Sequence, residues 1–233
     1  LLLGMEEIDV NQARDDGTTA LYIASQNGHL DVVKLLLGAE GINVNQAEED
    51  GATALYIASE NGHSDVVKLL IGAEEINVNQ ARDNGSTALY MASQNGHLDV
   101  VKLLLDVEEI NINQATNTGA TALYIASQNG HSDIVKLLLA AEEINVSQAM
   151  NTGATVLIIA SENGHLDIVK LLLGVEEINT NQANNNGSTA LYMASQNGHS
   201  DVVKLLLGAE GVNVNQARDT GVTALIIASQ NGH

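Results

Sequence analysis

The apolar positions of this chain come in short bursts that return every 34 residues. In one cell, Ala88-Leu89-Tyr90-Met91-Ala92-Ser93 is a first burst and Val100-Val101-Lys102-Leu103-Leu104-Leu105 a second. The first follows Thr87, a good N-cap, and runs into Asn95-Gly96, where Gly can take the left-handed C-cap conformation. That predicts a helix beginning at Ala88. The second burst predicts a helix from His97 or Leu98 to about Leu105. Asp99 falls in its first turn, where the macrodipole favours an anion, and Lys102 follows at a helical pairing distance. Ile110-Asn111-Ile112-Asn113 alternates apolar and polar, which predicts a short extended segment. Arg82-Asp83-Asn84-Gly85 predicts a turn, with Gly at the positive-φ position.

Two helices of about two turns each are marginal alone and cannot cover their own apolar faces. Neighbouring cells must stack to bury them. The phase is marked by Gly17, Gly51, Gly85, Gly119, Gly153, Gly187 and Gly221. All 7 His share the 34-residue spacing, from His29 to His233, and so does every Lys, from Lys34 to Lys204.

The run Gly85-x-Thr87-Ala-Leu89-x-x-Ala92-x-x-Asn-Gly96-His97-x-x-Val-Val101-x-Leu-Leu-Leu105 resembles the ankyrin repeat, and copies of it cover essentially the whole chain. The resemblance implies an all-α solenoid of stacked helix-turn-helix units with short projecting β-hairpins. It implies use as a non-catalytic protein-binding scaffold, here as a single array over residues 1–233 of about seven repeats. Three departures stand out. Where the family has Pro after the capping Thr, this chain has Ala88 and its equivalents. Where the family has His two residues later, it has Tyr90 or, twice, Ile158 and Ile226. The link after the second helix, as at Glu74-Glu75-Ile76-Asn77, is one residue longer and sets the 34-residue period.

Composition narrows the function classes. With 9 Lys+Arg against 29 Asp+Glu the net charge is −20, which opposes a phosphate backbone, so no nucleic-acid partner is expected. There is no Cys, hence no disulfide or thiolate chemistry. No apolar run reaches the ~18–20 residues of a membrane span. The absence of Pro and Phe, with only 5 Tyr for aromatic volume, fits a small cell copied many times. No nucleotide loop, nucleophile elbow or metal triad is present, so no catalytic residue, cofactor, metal or small-molecule substrate is expected.

The recurring polar residues carry further chemistry. Equivalent His on stacked helices would lie ~8–10 Å apart, too far to share a metal. Each is expected to bond backbone groups of its own and the adjacent loop. The Asn pairs, such as Asn77 and Asn79, are expected to tie one cell to the next. Glu74-Glu75, Glu108-Glu109, Glu142-Glu143, Glu176-Glu177 and Glu6-Glu7 form an acidic edge, either solvated or open to cations or a basic partner. Sequons occur at Asn84-Gly-Ser, Asn145-Val-Ser and Asn186-Gly-Ser.

The copies differ most at the turn. Its flanking residues are Arg14 and Asp16, Glu48 and Asp50, Arg82 and Asn84, Thr116 and Thr118, Met150 and Thr152, Asn184 and Asn186, and Arg218 and Thr220. These are the candidate binding residues for a protein partner. The adjoining first-helix ends are nearly uniform, Gln94-Asn95 or Glu60-Asn61. A second reading makes the chain a structural subunit that joins copies of itself end to end. Leu1-Leu2-Leu3 is in phase with Leu35-Leu36-Leu37, and five further residues after His233 would complete seven cells. Its contact residues would be Leu1, Leu2, Leu3, Ile226 and Ile227.

Overall fold

The computed structural model describes residues 8–233, so Leu1, Leu2 and Leu3 and the Glu6-Glu7 pair lie outside the described residues. Thirteen α-helices and no sheet are found among the described residues. Two compact units divide the chain.

The first unit, Leu1–Asn117, contains α1 (Ala20–Gln26), α2 (Leu30–Leu37), α3 (Ala54–Glu60), α4 (Ser64–Ile71), α5 (Ala88–Asn95) and α6 (Leu98–Leu105). The second, Thr118–His233, contains α7 (Ala122–Asn129), α8 (Ser132–Leu139), α9 (Val156–Glu162), α10 (Leu166–Leu173), α11 (Ala190–Gln196), α12 (Ser200–Leu207) and α13 (Ala224–Asn231). Each unit is a helical solenoid in two layers. In the first, α1, α3 and α5 stack in one layer and α2, α4 and α6 in the other. In the second, α7, α9, α11 and α13 form one layer and α8, α10 and α12 the other.

The sequence explains the layers. Every odd-numbered helix starts behind a Thr whose Oγ1 accepts a backbone N–H three residues on, as Thr87 does from Tyr90 at 3.2 Å. Ala58, Ala92, Ala126 and Ala160 are fully buried, and their small side chains let odd helices approach closely. Val67, Leu70, Val101 and Leu104 fill the space between layers and are also fully buried. Such a Leu or Val contributes roughly 1.5–3 kcal/mol by leaving water.

The alternating segment is not a strand. Asn111 Oδ1 accepts from Asn113 N at 3.3 Å, and Gln114 N donates to Asn111 O at 3.2 Å, so residues 111–114 form a turn. Ile112 is buried and Ile110 half-buried. An Asn side chain that folds back on the chain mimics the period of a strand. The projecting loops are likewise tight, with the only bridge assigned among the described residues at Ala217 and Thr223.

Two faces lack cover. On α2, Leu35 is 65% exposed, and on α13 Leu225 is 75% exposed. Ile226 is also exposed, whereas Ile227 is half-buried. No helix is long and apolar enough to cross a membrane among the described residues.

Candidate binding surface

The recurring Asn and His join one helix pair to the next. The Asn-Gly-His loop is a two-donor clamp. Asn95 Nδ2 and His97 Nε2 both donate to Glu60 O, at 2.8 and 2.9 Å. Asn197 Nδ2 and His199 Nε2 do the same to Glu162 O, at 2.7 and 2.9 Å. The carbonyl can only accept, so Nε2 carries the proton. The intervening Gly is forced by the neighbour as well as by its own φ. A Cβ on Gly164 (φ +73°) would stand 2.6 Å from the His199 ring. The His therefore grip the preceding pair's backbone, and among the described residues no three His, Asp or Glu gather as a metal site.

The Asn pairs brace the other end of the frame. Asn79 Nδ2 donates to Glu109 O at 2.7 Å, while its Oδ1 accepts Asn111 N at 2.7 Å. Asn45 makes the same two bonds to Glu75 and Asn77, and Asn181 to Gly211 and Asn213. The first Asn of each pair shapes the turn, as Asn77 Oδ1 does by accepting Asn79 N. Ser147 stands in one of the bracing positions. It is too short to span the gap, and it makes neither bond to Glu177 or Asn179.

Between these two braces the chain projects as a finger. Gly85 N donates to Arg82 O at 2.8 Å and Arg82 N to Ser86 O at 2.9 Å, closing a tight loop. Successive fingers join through their backbones: Asp83 N to Asp50 O and Asn117 N to Asn84 O in the first unit, Asn185 N to Thr152 O in the second. The tip side chains are the part of the finger that varies from copy to copy. Arg14, Asn84, Thr118, Thr152, Asn186 and Thr220 are exposed, and Asp16, Glu48, Asp50, Arg82, Thr116, Met150, Asn184 and Arg218 are half-buried. The sequon residues have structural work: Asn84 Oδ1 accepts from the buried Ser86, at 2.9 Å from N and 2.6 Å from Oγ.

Some tips are not free. Arg82 lies over the Tyr56 ring, 5.3 Å from its centroid, donates to its hydroxyl and pairs with Asp50. Arg218 repeats the stack on Tyr192 at 5.1 Å. Thr18's hydroxyl and amide, with Arg14, hold the Asp16 carboxyl below its ordinary range. Burial, with Glu48 and Glu60 nearby, pushes the Tyr22 hydroxyl up to about 12. The Arg–Tyr contacts join residues 26 apart in sequence, a spacing with no local signal; only the stacking distance reveals them.

A family model described as ankyrin repeats (3 copies) matches residues 1–82, 72–149 and 157–233. Among solved structures, the ankyrin repeat protein EF0377 is 26% identical, with a TM-score of 0.77 over 87% of this chain and 100% of that one. The ankyrin repeat domain of Bcl-3, a member of the IkappaB protein family, is 28% identical, with a TM-score of 0.80 over 92% and 95%. The human ASB11 ankyrin repeat domain is 25% identical, with a TM-score of 0.77 over 91% and 92%. No curated protein matches the chain.

Proposed function

The chain belongs to the ankyrin-repeat family, and from that premise we propose that it is a non-catalytic scaffold that binds a protein partner through its fingers. In this reading residues 1–233 act as one array of about seven repeats. The supporting observation is a division of labour among side chains. The residues that recur, Thr87, Asn79, Asn95 and His97 among them, are committed to caps and to bonds between helix pairs. The residues that vary are the tips, where a change of side chain leaves the backbone bonds intact. Charge-altering changes at the exposed tips Arg14, Thr152 and Thr220 are expected to weaken a captured partner without lowering the melting temperature by more than a few degrees. Retained binding after all tips are replaced counts against this reading.

A second reading, in which copies associate head to tail, draws on the uncovered faces of α2 and α13, with Leu35 65% and Leu225 75% exposed. A heterologous contact that does not close makes an open fibre. Electron microscopy across a range of concentrations separates the two readings. Monodisperse particles at every concentration remove the second.

A further inference from the structure

Within the second unit a groove of about 520 Å³ lies between the fingers and helices α7, α9 and α11. Three side chains that line it break the uniformity of the chain. Met150 is the only apolar residue at its place in the fingers. Met193 and Met91 stand where the other five copies have Ile, and Glu162 and Glu60 where the other five have Gln. Among the copies, the apolar Met150 beside a Met and a Glu is a combination found at this groove alone, and it gives the groove a chemistry of its own.

Their chemistry is complementary to a definite partner. Met150, Met193 and Tyr124 supply adaptable apolar walls, thioethers being flexible and polarizable. The Glu162 carboxylate makes no ion pair or hydrogen bond, although its backbone carbonyl is taken by Asn197 and His199. Arg218, the groove's own cation, is held by Tyr192 and Asn186 O instead.

We propose that this groove seats an extended segment of a protein partner that lays an apolar side chain between Met150 and Met193 and sets a Lys or Arg against Glu162. The proposal rests on the reading that the fingers form the binding surface, and it names the partner's chemistry. The chain's net charge of −20 favours encounter with a basic segment. A neutral polar segment would leave the methionines uncovered, and an acidic one would be repelled.

The test is a random peptide library displayed on phage and selected on the full chain. In parallel it is selected on Met150→Thr with Met193→Ile, on Glu162→Gln, and on Glu48→Gln with Asp50→Asn. Each groove substitution introduces a residue that already occupies the equivalent position in another copy, so the fold is kept; circular dichroism checks this. The enriched peptides are expected to carry an apolar residue within two positions of a Lys or Arg. The methionine pair change should weaken them about tenfold or more. Glu162→Gln should weaken them about threefold and flatten the salt dependence. Peptides that lack this pairing, or that ignore all the groove substitutions, overturn the proposal. If those peptides are lost on Glu48→Gln with Asp50→Asn, the finger reading survives that failure. No enrichment at all counts against both.

Discussion

Replacing Ser147 by Asn should repair a brace that the second unit lacks. At the equivalent place Asn79 makes two bonds to the next pair, Nδ2 to Glu109 O at 2.7 Å and Oδ1 from Asn111 N at 2.7 Å. Ser147 makes neither, so Asn179 N and Glu177 O go without that partner. Each bond contributes about 0.5–1.5 kcal/mol net, and these exposed ones belong at the low end. Fixing the longer Asn side chain costs about 0.5 kcal/mol. The expected gain is about 0.5 kcal/mol, or a rise of roughly 1–2 °C in Tm for a chain of this size. Urea unfolding followed by far-ultraviolet circular dichroism reads it as a higher midpoint; the midpoint is preferred because repeat arrays depart from two-state behaviour. Hydrogen exchange adds a local readout, since the Asn179 amide should slow about twofold. The substitution removes the Asn145-Val-Ser147 sequon, so unglycosylated protein is compared with unglycosylated protein. An unchanged or lower midpoint with the same spectrum would show that the Asn braces do not hold the stack.

Three other outcomes follow from particular side chains. The Ser93 hydroxyl is fully buried with no partner, so Ser93→Ala should stabilise by about 1 kcal/mol in thermal melts; a loss would mean that Oγ donates to a helix carbonyl, as Ser229 Oγ does to Leu225 O. Glu75 sits at φ +60°, where Gly41 and Gly211 stand at +74°, so Glu75→Gly should gain about 0.5 kcal/mol and Gly211→Glu should lose a similar amount. A gain for Gly211→Glu would refute the strain argument. Because Tyr22's hydroxyl is raised to about 12, folding stability from this group is intact below pH 10 and declines as pH rises towards 12. Burial raises Tyr56 and Tyr90 as well, so absorbance titration at alkaline pH should show a late-ionising component that Tyr22→Phe reduces; an undiminished amplitude would place the late group elsewhere.

Much of the frame was legible because it is local. Thr87 as cap, Ala88 as the first helical residue and the helix from Leu98 to Leu105 all follow from side chains within four positions of one another. That His97 bonds a backbone group is legible too, but its acceptor, Glu60 O, lies 37 residues back and depends on how pairs stack. The segment from Ile110 to Asn113 has the apolar alternation of a strand yet is a turn, because Asn111 folds onto its own backbone. Arg82 over Tyr56 and the buried Ser93 hydroxyl carry no sequence signal, since neither a cation–π contact nor an unpartnered oxygen has a local spacing. At the candidate surface the sequence marked where copies differ. It did not mark which tips are spent internally, as Arg82 and Arg218 are, or that Met150, Met193 and Glu162 meet in one groove.

Hydrogen exchange on the full chain with a bound partner tests the central claim most directly. Binding through the fingers predicts slowed exchange at the tips, such as residues 82–85 or 150–153, and in the adjoining odd-numbered helices. Protection confined to the even-numbered helices, around Lys102 or Lys170, would contradict it and move the binding surface to the other layer.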